Sequence, residues 1–384
     1  MKIIILGAGM IGRAIAYDLS KYSNFDNITI ADRDNQTLYS VKKFLNNQKI
    51  NLLKIDLENT KIIKKFLKNF NIIISAVPYK YNYILAKIAI DIKTHFIDLG
   101  GNNDIVKKEI SLSKKAKNSG VIIIPDCGLA PGLTSIITKD IVEQMDFVEY
   151  IKLRVGGLPQ NPKPPLNYQI VFSPYGLINE YVEDAIILDH GKIIKKKSMT
   201  EIEKIDFPKP FGKLEAFLTS GGCSTLPYTF RRKISYLDYK TIRYKGHCEK
   251  FKIFLDMGFA SEEKIKIGKQ FFTSRDIFSA FLMKNLPFNQ KDVVLLKVFA
   301  QGKKSGKKLK LEYSLIDYYD EKNKITSMMR TTGYPVSITA QMIQQGIIRK
   351  HGVLCSEKII PCNLFFDELK KRDISIKKYV KNRD

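Results

Sequence analysis

The segment Met1-Lys-Ile-Ile-Ile-Leu-Gly-Ala-Gly-Met-Ile-Gly12, with an acid following at Asp32, constrains this chain more than anything after it. Residues 3–6 read as a short β-branched strand, and Gly7 makes the tight turn that leaves it. Gly9 has no side chain, so a pyrophosphate can approach the backbone where the next helix begins. Gly12 lets that helix pack closely on the strand. Ala8, Met10 and Ile11 complete the phosphate-facing turn. Residues 28–32 form the next apolar run, and Asp32 at its end is placed to accept from both ribose hydroxyls. A lone glycine triplet often marks only a turn. Here the strand before it, the amphipathic stretch 13–22 after it and the acid all agree on a dinucleotide site, with NAD the expected cofactor. Arg33 adjoins Asp32 and suits a 2′-phosphate, so some use of NADP is expected as well.

The first third of the chain alternates apolar strands with helical stretches. Strands are predicted at Lys2–Leu6, 28–31, 51–55, Ile72–Ser75, 95–99 and 121–124, and helices between them, as at 59–70 and 81–92. Strands made almost wholly of Ile, Val and Leu are buried on both faces, as in a parallel sheet. The expected fold is α/β: a Rossmann-type doubly wound sheet with the cofactor across the carboxyl ends of its strands. Asp56 and Leu57 after the third strand, and Ala76, Val77 and Pro78 after the fourth, are expected beside the cofactor. The small residues and proline of 75–78 would let the nicotinamide ribose and ring lie close to the chain. Residues 98–102 are open to contact with either cofactor or substrate. Pro125-Asp-Cys-Gly-Leu-Ala-Pro-Gly132 ends the sixth strand and starts a helix at Leu133. Such a turn would fix Asp126 and Cys127 beside the nicotinamide, with the helix N-terminus pointing inward; a rigid interdomain hinge fits the same residues.

Beyond Pro125 the strands lengthen and alternate, with Tyr, Phe and Thr, as at 149–155, 239–244 and 293–301. That texture predicts an α+β second domain with a mainly antiparallel sheet, for substrate and self-association. A helix apolar on one face is expected at 337–346 and another at 364–371, packing back on the first domain. The division is therefore 1–126 with 331–384 for the nucleotide, and 127–330 for substrate. The charged end, 377–384, is expected to fray. In Lys240-Thr-Ile-Arg-Tyr-Lys-Gly-His247, residues Thr241, Arg243 and, after a bend, His247 alternate onto one face. Arg243 offers a planar fork for a carboxylate and His247 is a candidate acid–base group. A strand arginine is more often a surface residue and a lone histidine more often structural, and spacing leaves both readings open.

The formal charge of +25 invites a nucleic-acid role. Most of it is Lys, spread along the chain among Ile and Asn, with small clusters at 192–197 and 303–310 expected in hairpins. No grouped arginines and aromatics suited to base readout occur, so no specific nucleic-acid partner is expected. Five cysteines without C-x-x-C spacing suggest reduced cytoplasmic thiols. No apolar run is long enough to span a membrane, and because the chain enters a strand at once no leader is expected. His95, His190 and His351 stand apart and His247-Cys248 diverge, so no metal site is expected.

These motifs together resemble the saccharopine dehydrogenase-like family, and within it the lysine 6-dehydrogenases. The residues that carry the resemblance are Gly7-Ala-Gly-Met-Ile-Gly12, Asp126-Cys-Gly-Leu-Ala-Pro-Gly132 and the stretches 155–168, 172–181, 211–217, 241–247 and 330–335, which cover nearly the whole chain in order. The resemblance implies NAD-dependent oxidative deamination of the side-chain amine of L-lysine or a related amino acid, by a homodimer or higher homo-oligomer. The product, 2-aminoadipate 6-semialdehyde, would close to a cyclic imine. Such chemistry needs a neutral amine, a base to take its proton, an activated water and a cation for the α-carboxylate. On this reading Arg243 holds the carboxylate, Asp126 and His247 hold the amine and move protons, Tyr168 and Thr241 line the pocket, and Cys127 shapes the nicotinamide side. A saccharopine- or carboxynorspermidine-type NADPH-dependent imine reductase would use the same fold with a second carboxylate binder, for which Arg154, Arg231 and Arg232 are candidates. A non-catalytic NAD(P) sensor would keep the fold alone, and intact Asp126, Arg243 and His247 argue against it.

Overall fold

Isoleucine dominates the first strands and leaves no face for water: Ile3, Ile4, Ile5, Ile72, Ile73 and Ile74 are all fully buried. In a computed structural model, which describes residues 1–45, 50–288 and 290–382, these strands lie in an all-parallel sheet. Its members β1 (Lys2–Leu6), β2 (Asn27–Asp32), β3 (Ile50–Lys54), β4 (Ile72–Ser75), β5 (His95–Asp98) and β6 (Ile122–Ile124) run in the order 3-2-1-4-5-6. Gly352–Val353 extends the sheet beyond β6. The chain reverses direction of winding between β1 and β4, and ligand crevices of such sheets open at the carboxyl ends at that point. Helices fill the crossovers, among them Met10–Tyr22, Thr60–Leu67 capped by the Asn59 side chain, and Asn103–Ser111 capped by Asn102.

Two compact units divide the chain: Met1–Lys139 with Met329–Ser375, and Asp140–Met328 with the segment from Ile376 on. In the first, the helix Ser327–Gln344 begins well before residue 337 and continues through Pro335. Pro335 inside it forfeits a hydrogen bond and crowds the preceding turn, and the packing of this helix outweighs that loss. Gly333 of this helix sits against Ala14 and Ile15. Its Ser337 donates to Asp18 Oδ2, while Arg372 Nε reaches Asp18 Oδ1 at 2.6 Å, and both charges are wholly buried. The last strand departs from expectation. Lys377–Asn382 does not fray but pairs antiparallel with Lys307–Tyr318 in the second unit's sheet.

Among the described residues that second sheet has nine strands and is mixed but mainly antiparallel. Ile234–Arg243 and Phe147–Pro159 form a parallel pair within it. The basic clusters fall in hairpins, one turning at His190-Gly191 and the other at Ser305-Gly306, all four residues with positive φ. On one face Tyr168, Tyr181, Phe217, Cys248, Phe251 and Phe278 make a separate aromatic core. All five cysteines are buried. Among the described residues no helix is long and apolar enough to cross a membrane, and no cluster of three or more His, Cys, Asp or Glu side chains suits a metal ion.

Candidate nucleotide and substrate sites

In the first unit, a cleft of about 240 Å³ opens at the carboxyl ends of β1, β2 and β4. Gly7, Asp32, Arg33, Asp56, Leu57, Val77 and Pro78 all line it, together with Lys80 and Tyr81, which the sequence reading missed. The glycines have separate duties. Gly7 adopts φ +100°, and a Cβ there would stand 2.5 Å from the Ala76 carbonyl oxygen. A Cβ on Gly12 would lie 1.9 Å from the Gly7 carbonyl oxygen, so helix and turn can approach only without it. At Gly9 a Cβ would meet nothing within 4 Å. The space over Gly9 is therefore open, and it faces the start of Met10–Tyr22, a helix with no side-chain cap on its first N–H groups. Those groups and the helix dipole suit a pyrophosphate. Met10 and Ile11 are the first residues of that helix.

Asp32 is set rigidly. Its Oδ2 accepts from the Ala8 N–H at 2.8 Å and its Oδ1 from the Asp34 N–H at 3.0 Å. Asp34 in turn caps the following helix through Gln36 and Thr37. Arg33 projects outward at the cleft and is exposed. Ala76 serves the site indirectly, with its N–H donating to the Leu6 carbonyl at 2.7 Å and its own carbonyl packed against Gly7. The open cradle and the fixed acid fit a nicotinamide dinucleotide.

Asp126 and Cys127 follow β6 at the same end of the sheet. Asp126 is buried at φ +60°, its N–H 3.4 Å from Asp98 Oδ1. Its Oδ1 rests against Gly100, where a Cβ would be only 1.9 Å away. Cys127 turns inward, with Sγ 3.5 Å from Ser356 Oγ and 3.7 Å from Thr339 Oγ1. Burial pushes its thiol up to about 12, so no thiolate is available there.

In the second unit the predicted residues Tyr168, Thr241, Arg243 and His247 do come together, joined by Glu180, Tyr181 and Thr219. Arg243 closes the strand Ile234–Arg243 and is almost wholly buried. Its guanidinium carbon lies 4.9 Å from the Tyr168 ring centre and 5.8 Å from that of Tyr181, and its Nε donates to Tyr181 Oη at 2.8 Å. Burial opposes its charge, but the facing oxygens of Tyr181, Tyr168 and Glu180 outweigh that and raise its pKa. The Glu180 carboxylate stands 3.9 Å from Arg243 Nη2 and accepts from the hydroxyls of Thr241 and Thr219.

His247 is not on the strand but begins the helix His247–Asp256. Its Nδ1 lies 3.0 Å from the Leu166 carbonyl oxygen and its Nε2 lies 3.1 Å from Tyr181 Oη. Burial, and next the Arg243 charge, hold its pKa down at about 3. A neutral imidazole with both nitrogens engaged has no proton to exchange near neutral pH. His247, expected as an acid–base group, here holds the Tyr181 hydroxyl beside Arg243. Tyr181 and Glu180 come from the helix Pro174–Val182, and the only sequence signal for them was the 172–181 motif.

Arg154, expected as a spare carboxylate binder, is fully engaged. It bonds Asp238 through Nη1 and Nη2 at 2.8 and 3.0 Å, Glu203 through Nε and Nη2, and the Leu153 carbonyl. Arg231 and Arg232 are exposed, just beyond the helix Leu226–Phe230.

Two family models match the chain: the saccharopine dehydrogenase NADP binding domain over residues 3–124 and the saccharopine dehydrogenase C-terminal domain over residues 128–374. Among curated relatives, the NADP(+), L-glutamate-forming saccharopine dehydrogenase of Schizosaccharomyces pombe is 23% identical over 386 residues, 80% of this chain and 83% of the relative. The mitochondrial alpha-aminoadipic semialdehyde synthase of Rattus norvegicus is 21% identical over 272 residues, 68% of this chain but 29% of the longer relative. The Pyricularia oryzae NADP(+), L-glutamate-forming saccharopine dehydrogenase is 25% identical over 209 residues, 50% of this chain and 44% of that protein. The chain thus spans less than half the length of these last two. Among solved structures, apo saccharopine dehydrogenase (L-Glu forming) from Saccharomyces cerevisiae has the same fold, with a TM-score of 0.79 at 19% identity over 99% of both chains. The NAD complex of homospermidine synthase from Legionella pneumophila follows with a TM-score of 0.68 at 14% identity, covering 100% of this chain and 92% of that one.

Proposed function

This chain belongs to the saccharopine dehydrogenase family, and from that premise we propose that it is an NAD-dependent dehydrogenase that oxidises the side-chain amine of L-lysine. Ammonia leaves, and 2-aminoadipate 6-semialdehyde remains. The observation that carries the reading is the buried Arg243 beside Glu180: a cation and an anion 3.9 Å apart, walled by Tyr168 and Tyr181. At that separation the two are too far apart for a close hydrogen-bonded ion pair. Their opposite charges match the α-carboxylate and α-ammonium of one amino acid, the first on Arg243 and the second on Glu180.

A bound oxidised nicotinamide supplies the hydride acceptor. The side-chain ammonium must lose a proton to a base, for which Asp126 is the candidate, before its lone pair could drive hydride from Cε. The substrate becomes an iminium, which water hydrolyses to aldehyde and ammonium. For each lysine the balance is one NADH, one ammonium and one proton released, with one water consumed. Thr241 and Thr219 orient Glu180, His247 orients Tyr181, and the two tyrosine rings keep water from the Arg243 charge. Asp32 favours the unphosphorylated ribose. The reductase alternative lacks support at Arg154, whose five N–H groups are all in use.

Comparison of lysine with 1,5-diaminopentane tests this reading. A charge-assisted contact contributes about 1.5–3 kcal/mol, so the unaltered enzyme should prefer lysine by roughly 10- to 150-fold in kcat/KM. Arg243→Ala should shrink that preference toward unity, whatever general damage it does to both reactions. An unaltered enzyme that turns over both equally well overturns the assignment of Arg243.

A further inference from the structure

Behind Asp126 lies a second pair of acids that neither hydride transfer nor substrate binding has used. Asp98 ends β5 and Glu109 projects from the helix Asn103–Ser111, and neither is exposed at all. Asp98 Oδ1 accepts from the Gly100 N–H at 2.7 Å and lies 3.4 Å from the Asp126 N–H, while its backbone carbonyl accepts from the Cys127 N–H at 2.8 Å. One side chain therefore ties the turn after β5 to the turn after β6. Among the described residues no N–H or hydroxyl reaches Asp98 Oδ2 or either oxygen of Glu109. Glu109 faces Asp98, and two facing buried carboxyl groups with no other donor can hydrogen-bond only with a proton between them.

We propose that Asp98 and Glu109 are a carboxylic acid–carboxylate pair sharing one proton, and that through Asp98 this pair holds the Gly100 turn and Asp126 at the carboxyl end of the sheet. Both are positioning residues, and the inference stands whatever the substrate is. The titratable groups facing Glu109 are Asp98 and Asp126, and beside Asp98 lies also the neutral Cys127 thiol. Burial raises Glu109 most, and the charges of Asp98 and Asp126 raise it further, so the proton resides on Glu109. Burial likewise raises Asp98, against which the Gly100 and Asp126 N–H groups favour its charge. Removing the proton would set two buried carboxylates, Asp98 and Glu109, against one another, which a protein interior disfavours strongly.

The sign of the pH dependence follows. An unfolded Glu109 ionises near its ordinary value of 4.5, whereas the folded one keeps its proton well into the alkaline range. Between those limits the folded state binds one proton more than the unfolded state, so stability falls as pH rises. The unfolding constant should grow by up to tenfold per pH unit from this group.

Infrared spectroscopy of the full chain at about pH 8, where ordinary carboxyl groups are ionised, should show the C=O band of a protonated acid that Glu109→Gln removes. Denaturant unfolding from mildly acidic to alkaline pH should show a slope in the unaltered chain that Glu109→Gln flattens by up to tenfold per unit. Glutamine can still donate to Asp98, whereas leucine cannot. Amide exchange at Gly100 and Asp126 should therefore speed up in Glu109→Leu and return toward the native rate in Glu109→Gln. An unchanged band in Glu109→Gln, equal pH slopes, or equal exchange in the leucine and glutamine variants would each overturn the proposal.

Discussion

Replacing Asp32 by alanine should change which dinucleotide the chain holds, and the structure sets the size of the change. The carboxylate is fixed by the Ala8 and Asp34 N–H groups at 2.8 and 3.0 Å and lines the cleft. It thus needs no reorganisation to accept from a ribose diol. Hydrogen bonds to a charged acceptor contribute about 1.5–3 kcal/mol, or roughly 10- to 150-fold in the NADH dissociation constant. A 2′-phosphate at the same place meets a like charge. At about 4 Å that repulsion is about 1 kcal/mol in water and about 4 kcal/mol at an effective dielectric constant near 20. Asp32→Ala therefore weakens NADH and relieves NADPH at once. It also frees the Ala8 and Asp34 N–H groups, but that loss falls on both cofactors alike and cancels in their ratio. The ratio of the two dissociation constants, read by fluorescence titration, should move by at least about tenfold toward NADPH. Salt should shrink the repulsive part and spare the hydrogen-bonded part. If the unaltered chain binds NADPH as tightly as NADH, the reasoning about Asp32 fails, and the exposed Arg33 governs the choice.

Two further outcomes follow from the geometry. Gly9→Ala should leave the thermal midpoint nearly unchanged yet abolish tight dinucleotide binding, because its Cβ enters open space, whereas Gly12→Ala should destabilise the fold, because its Cβ would lie 1.9 Å from a backbone oxygen; equal effects in the two variants would contradict this division of duties. Arg372→Met strands the buried Asp18 carboxylate, so denaturant unfolding should show a loss of about 3–5 kcal/mol, most of it recovered by adding Asp18→Asn; a loss under about 1 kcal/mol would mean that this pair does not fasten the tail to the helix Met10–Tyr22.

The nucleotide-binding fold was legible because its constraints are local. A left-handed turn at Gly7, a close approach at Gly12 and strands without a polar face each leave a mark within a few residues. Order within the sheet then follows from the doubly wound pattern. The polar cluster of the second unit was legible only in part, because its members come from distant elements: Tyr168 from a loop, Glu180 and Tyr181 from one helix, Thr219 from beyond the strand Gly212–Leu218, and His247 from the start of another helix. Spacing put Thr241 and Arg243 on one strand, but it could not show that His247 is buried beside a guanidinium and so remains neutral. Glu109 was hidden for the opposite reason. An acid on a helix looks solvated unless Asp98 is known to lie across from it. The strand Lys377–Asn382 is a third case, since charged residues read as a loose end until an edge strand is there to pair with them.

The central claim is that a single amino acid supplies both the amine and the electrons. Its most direct test is NADH formation, followed by absorbance, from the chain, NAD and L-lysine alone at alkaline pH, with ammonia assayed alongside. The account predicts NADH and ammonia in equal amounts, and an aldehyde product that traps with a carbonyl reagent before it cyclises. No NADH from lysine alone, with NADPH oxidised only when an aldehyde and a second amine are supplied together, would contradict it.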